Sequence, residues 1–233
     1  MPPVMIPTRP ARPKPPKKPR RPGVRLSVVI PTPGRGRPLE RTLRSIAHQR
    51  AAGDEVLICH DTVDDVDPAV LDLAMRYDCR YLEITDTVEH SWGHREIEVG
   101  MMLARGDYLT FMDDDDVYTP DAFVAIRERI AGLSEPRPLM FKFMTPWRVV
   151  LWEEPVLAET RVGGHCLVVP NVPERFGQWT ERYNGDWDFI RSTVDRWPNR
   201  DADVVWCDNL IAWTRPTPEE EAWLIPSGVA VTA

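Results

Sequence analysis

The sequence contains no apolar run near the roughly 18 residues that a membrane-spanning helix needs, and it has no internal repeat. Its start is basic, yet Leu26–Ile30 is too short to serve as the apolar core of a signal peptide. Together these absences imply a cytoplasmic protein. Cysteine is scarce, and Cys59, Cys79, Cys166 and Cys207 form no C-x-x-C pair. That spacing suggests neither a zinc site nor a disulfide framework, leaving reduced and mostly buried thiols as the reading. Acid is missing from the first 25 residues, which hold eight Lys or Arg, while the remaining chain carries a formal −15. A body this acidic repels nucleic acid unless its charge is arranged locally or offset by metal, whereas the basic start could attract a polyanion.

The chain of 233 residues is long enough to bury a real core. Residues 1–24 read as a flexible tail: nine prolines in the first 22 positions block helix and sheet ladders. Residues 25–233 read as one domain, with halves at 25–131 and 132–233. The first half alternates strand and helix. Leu26–Ile30, Glu55–Cys59, Arg80–Ile84 and Asp107–Met112 are short β-rich runs. Between them, Leu39, Leu43, Ile46 and Ala47 share a helical face, and Asp67-Pro68 signals a helix start. His94–Arg105 reads as a helix closed by Gly106, and Thr119-Pro120 caps another that runs to Ala131. This alternation predicts an α/β fold with a mostly parallel sheet flanked by helices. The second half changes style. Leu139–Phe143, Arg148–Trp152 and His165–Val169 are strands without long helices between them, and eight of the nine tryptophans lie here. Antiparallel strands bearing an aromatic pocket account for both features.

Parallel sheets bind ligands beyond the carboxyl ends of their strands. Pro31, His60-Asp61 and the run Asp113–Asp116 all fall at such ends. In an extended chain, Asp113 and Asp115 would face one way and Asp114 and Asp116 the other. Converging carboxylates repel unless a proton or a cation sits between them. Hard divalent ions, Mn²⁺ or Mg²⁺, take such oxygen ligands and also bridge a diphosphate. An acidic turn leading into the helix at Thr119 is the purely structural alternative.

Four segments resemble the inverting glycosyltransferases of the GT-A fold, family 2 in type. Leu26–Thr32 is similar to the opening strand, whose Pro31-Thr32 turn would lie beside the donor base. Glu55–Asp61 resembles the strand that ends in a uracil-contacting aspartate, here Asp61, with His60 in place of a usual acid. Ala104–Asp116 resembles the strand carrying the D-x-D motif. The resemblance implies that Asp113 faces the donor sugar or ribose and contributes to the metal site, that Asp114 adjoins the donor, and that Asp115 holds the metal. Glu98 stands where the family often has Asn or Asp. Asn184–Asp188 resembles a Glu-Asp-Trp segment whose aspartate is the catalytic base, implying that role for Asp186. The late histidine of some relatives has no counterpart after His165.

The implied activity is metal-dependent transfer of a sugar from a nucleotide-sugar donor, UDP-linked, onto a hydroxyl. The acceptor is open between a glycan, a protein, a small molecule and modified DNA. The residues themselves leave further alternatives. Asp186 fits a helix N-cap as well as a base, and Asp188 fits a first-turn acid as well as an acceptor contact. Trp179, Tyr183 and Trp187 suit either a core or stacking on an acceptor. In His90-Ser-Trp-Gly-His94 the histidines have metal spacing for a helix, but Gly93 interrupts it, so His94 reads as part of a donor-site loop. A nucleotidyltransferase would want a glycine-rich triphosphate loop, faintly suggested by Gly34–Arg37. A DNA-base glycosyltransferase and a non-catalytic sugar binder are the other rivals.

Overall fold

The computed structural model describes residues 23–63, 68–86 and 92–225. The proline-rich tail, Asp67 and His90 lie outside them. Strand β1 (Leu26–Thr32) is buried along its whole length, as expected of a central parallel strand with both faces covered. It pairs in parallel with β2 (Glu55–Asp61) on one side and β4 (Tyr108–Phe111) on the other, and β3 (Arg80–Ile84) extends the sheet beyond β2. Helices α1 (Gly36–Ala47), α2 (Pro68–Arg76) and α3 (His94–Leu103) make the connections. Helix α1 buries Leu39, Leu43 and Ile46 as its 3.6-residue period requires.

The rest of the sheet is added beyond β4. The two-residue β5 (Val117–Tyr118), helix α4 (Ala122–Ala131), β6 (Leu139–Met144), β7 (Val150–Leu151) and β8 (Leu167–Pro170) follow in the chain. Helix α5 (Gly185–Val194), β9 (Val205–Trp213) and α6 (Pro218–Leu224) complete it. The strand order is β3-β2-β1-β4-β8-β6-β9-β5, with β7 paired to β6. Strands β8, β7 and β5 run antiparallel to their neighbours, as the change of style predicts, while β6 and β9 pair in parallel. The chain moves outward from β1 to β3 and then returns to the other side of β1 as β4. That reversal opens a crevice between the carboxyl ends of β1 and β4.

Several local expectations are corrected. Helix α3 ends at Leu103, and Gly106 does not cap it. Gly106 instead passes so close to β1 that an added Cβ would meet the Ser27 nitrogen at 2.6 Å. Helix α4 starts at Ala122 with Asp121 at its N-cap, and the Thr119 hydroxyl donates to Leu210 O at 2.8 Å. The strand expected over 148–152 shrinks to two residues because Thr145–Val149 closes a turn, with Arg148 in the left-handed region at φ 61°. Strand β9 was not anticipated. A bulge admits the exposed Asp208 and Asn209 between the partners of Phe141 and Lys142, which breaks the period-2 pattern. The four cysteines are free thiols, and burial pushes Cys59, Cys79 and Cys166 up to about 12.

The contact at Gly106 generates a stability test. Its amide donates to Ser27 Oγ at 2.8 Å, and that hydroxyl donates to Glu55 Oε1 at 2.7 Å, tying β1, β2 and the approach to β4 together. Gly106→Ala drives a methyl group into backbone, so we expect a loss of about 1–3 kcal/mol, read as a lowered thermal midpoint. An unchanged midpoint would show that β1 yields easily.

Candidate active site

The aspartate run is a turn and not an extension of β4. Asp116 N donates to Asp113 O at 3.3 Å, closing the chain between β4 and β5. The alternation expected for an extended run therefore fails, and each carboxylate takes its own direction. Asp113 and Asp116 converge with His165, their ligand atoms all within 4.8 Å of one another. His165 Nε2 lies 2.7 Å from Asp116 Oδ2 and 3.8 Å from Asp113 Oδ2.

Asp114 is buried and turns back toward β1, accepting from Thr32 Oγ1 at 2.6 Å and pairing with Arg35. Asp115 contacts two guanidinium groups, Arg35 Nη1 at 3.1 Å and Arg215 Nε at 3.4 Å. It is thus Asp116, not Asp115, that the structure gathers with Asp113. Arg35, the centre of the glycine-flanked Gly34–Arg37 loop, is committed to the acidic turn. Arg41 and Thr42 on α1 secure its backbone: Arg41 Nη2 donates to Asp115 O at 2.5 Å, and Thr42 Oγ1 lies 2.6 Å from Asp116 O.

His165 sits in a short 3-10 turn, Gly164–Cys166, just before β8. Phe143 of β6 stacks on its ring at 5.4 Å. The sequence pattern made His165 the first residue of a strand, and no local motif marks it. The available signal was its place as the last histidine in the chain. The same turn reaches the second candidate group, because Gly164 N donates to Asp186 Oδ2 at 3.1 Å. Asp186 lies within the first turn of α5, whose N-cap is Asn184, so it is not the cap.

Charge sets the protonation here. Burial opposes a charged imidazole at His165, but its hydrogen bond to Asp116 and the charges of Asp113, Asp116 and Asp186 outweigh that and push it up to about 9. Asp113, whose side chain is 56% exposed, is raised above the ordinary carboxylate value by partial desolvation within the cavity and by the neighbouring acids, against the pull of His165. Two carboxylates and an imidazole match the donors that Mn²⁺ accepts, so Asp113, Asp116 and His165 fit a divalent cation.

These groups line one cavity of about 670 Å³. Asp113, Asp116, His165, Asp186, His94, Trp179 and Trp187 all contribute to its wall. His94 is fixed there, with Nδ1 at 2.7 Å from Thr180 O and its ring stacked on Trp179 at 5.0 Å. Burial lowers its pKa from the ordinary histidine value. Trp179 also stacks on Phe189 at 4.5 Å, so it serves the core and the wall together. Gly93 supplies the turn into α3 at φ 80°, against Pro31, where an added Cβ would meet Pro31 Cβ at 2.9 Å. Pro31, Thr32 and Asp61 stand at the carboxyl ends of β1 and β2, and Asp61 Oδ1 accepts from Val63 N at 3.1 Å. Asp188 does not line the cavity. It pairs with Arg182 at 2.5 Å and also accepts from Thr180, and chiefly the Arg182 bond holds its pKa down at about 2.

Residues 27–132 match the family model described as Glycosyl transferase family 2. The fold is that of a GT-A glycosyltransferase. TarS 1-349 from S. aureus superimposes on this chain with a TM-score of 0.64 at 15% identity, over 82% of this chain and 60% of that one. TarS has also been solved with UDP and with UDP-GlcNAc. Glucosyl-3-phosphoglycerate synthase from Mycobacterium tuberculosis, in complex with Mn²⁺, UDP and phosphoglyceric acid, gives 0.60 at 12% identity, over 85% of this chain and 73% of that one. Mannosyltransferase PcManGT from Pyrobaculum calidifontis, with GDP-Man and Mn²⁺, gives 0.58 at 16% identity, over 86% of this chain and 60% of that one. This chain thus spans about 60% of the TarS fragment's length. No curated protein matches it in sequence. Among its described residues, no helix is long and apolar enough to cross a membrane.

Two outcomes test this geometry. Asp116→Asn and His165→Ala should abolish the upward shift in melting temperature given by Mn²⁺, whereas Asp115→Asn should retain it. Equal loss in all three would return Asp115 to the metal site. Because the native pKa of Asp188 is depressed, its contribution is present above the unfolded carboxylate value and is lost as pH falls toward about 2. Asp188→Ala should therefore melt below wild type at pH 7, with the gap narrowing on acidification.

Proposed function

We propose that the chain is a metal-dependent glycosyltransferase that moves a sugar from a nucleotide-sugar donor onto an acceptor hydroxyl with inversion. One observation carries the reading: the Gly164–Cys166 turn holds His165 against Asp116 and presents Gly164 N to Asp186, which sets the candidate metal group and a carboxylate on one cavity. Asp113, Asp116 and His165 would hold the cation. When bound, Mn²⁺ or Mg²⁺ neutralises charge on the departing nucleoside diphosphate.

Pro31, Thr32 and Asp61 stand where the donor's base and ribose would enter, with Asp114 behind them and His94 in the wall. A UDP-linked donor agrees with the ligands named for TarS and the mycobacterial synthase, while PcManGT carries GDP-Man. Asp186 takes the proton from the acceptor hydroxyl as that oxygen attacks the anomeric carbon. Gly164 N orients this carboxylate by bonding Oδ2. Only one carboxylate acts on the acceptor side, which is why inversion follows. Trp147, Tyr183 and Trp92 are exposed at the cavity, with Trp187 beside them, and Trp92 meets Tyr183 edge-on at 5.4 Å. Exposed rings at a cavity rim suit an acceptor with a flat, apolar face. We place the whole domain, residues 25–233, in the cytoplasm under the same reading.

Asp186→Asn keeps the shape of the side chain but cannot take a proton at neutral pH. Transfer should fall by about 10²-fold or more while donor affinity is retained. Transfer near the wild-type rate would place the base elsewhere. Steady-state kinetics with calorimetric donor binding separate the two.

A further inference from the structure

Among the described residues, the acid-lined cavity contains one arginine, Arg215, whose side chain is largely uncommitted. Arg215 follows β9 by two residues, and its side chain is 70% exposed while lining the cavity beside Asp113 and Asp116. By contrast, Arg35 binds Asp114 and Asp115, and Arg41 spans Asp115 O and Glu221. Among the described residues, Arg215 makes one ion pair, a 3.4 Å contact through Nε with Asp115, a carboxylate Arg35 already engages. Among the described residues, neither of its terminal nitrogens makes a hydrogen bond.

Its backbone, in contrast, is tightly fixed. Arg215 adopts φ 43°, in the left-handed region that non-glycine residues seldom occupy. Thr214 N holds Met144 O at 2.9 Å on one side of it. Arg215 N itself donates to Asp116 Oδ1 at 2.7 Å. The main chain is thus anchored to a candidate metal ligand while the guanidinium projects into the cavity. A strained backbone at such a place marks a positioned side chain more than a random turn.

We propose that Arg215 is the donor-diphosphate clamp: its terminal nitrogens bind the phosphate oxygens turned away from the metal group, and its contact with Asp115 loosens as they do. This rests on the glycosyltransferase reading. A diphosphate entering among Asp113, Asp116 and Asp186 meets repulsion that a single divalent cation offsets only in part. A planar guanidinium supplies both charge and a fork matched to phosphate oxygens. Because negative charge grows on the diphosphate as the sugar leaves, the clamp strengthens during transfer.

The test compares wild type, Arg215→Ala and Arg215→Lys in calorimetric titrations with Mn²⁺ present. The probes are UDP and GDP, each paired with its monophosphate. For the diphosphate that wild type binds, Arg215→Ala should weaken affinity by about tenfold or more, with Arg215→Lys intermediate. Monophosphate affinity should change by less than about twofold, since a monophosphate presents no second phosphate to the fork. A folded Arg215→Ala that binds the diphosphate as wild type does overturns the proposal. So does an equal loss for both nucleotides, which would mark a structural role. If wild type binds neither diphosphate, the glycosyltransferase reading fails first and the clamp with it.

Discussion

Four consecutive carboxylates in a turn are the constraint around which the molecule is arranged. Unit charges about 4 Å apart repel by several kcal/mol at the effective dielectric of a protein surface, so such a turn persists only if it is tied down. The ties come from separate parts of the chain. Thr32 comes from the end of β1, Arg35 from the loop after it, Arg41 and Thr42 from α1, His165 from the turn before β8, and Arg215 from beyond β9. Because Asp114 is buried, removing either Thr32 or Arg35 leaves it with less compensation for its charge. The acidic turn is therefore where both halves of the sheet meet.

The two halves contribute different chemistry to that meeting. The parallel half supplies open strand ends at the reversal between β1 and β4, a place suited to a nucleotide. The antiparallel half supplies the imidazole, the carboxylate of Asp186 and the aromatic wall. The segment after β9 then closes against the turn, with α6 tied back through Arg41–Glu221 and Arg148–Glu220. A capping box at Thr217 and Glu220 starts that helix and fixes where the closing segment ends.

Much of this was legible in the sequence where a pattern is local. Strand β3 lies at Arg80–Ile84 as read, and β1, β2 and β6 run only one or two residues beyond their expected ends, because short β-branched and apolar runs mark strands wherever they sit in the sheet. The position of the acidic segment at a strand end was equally legible, as was its likeness to glycosyltransferases. The grouping of its side chains was not. Whether Asp113 meets Asp115 or Asp116 depends on a turn closed by one backbone hydrogen bond, and four identical residues give no clue to it. His165 lies 52 positions from Asp113, so only the pairing of β4 with β8 brings them together. Arg215 is hidden for the same reason, since its neighbourhood follows from β9, a strand whose bulge conceals its period.

The central claim is that the metal group and Asp186 face one reaction centre at which a sugar leaves a nucleoside diphosphate. The most direct measurement is product identity after incubation with a panel of nucleotide sugars, with Mn²⁺ and with a chelator. The account predicts release of nucleoside diphosphate from at least one donor, dependent on the metal and slow when water is the only acceptor. Release of pyrophosphate from nucleoside triphosphates, or intact donors throughout while the protein remains folded and bound to nucleotide, would contradict it.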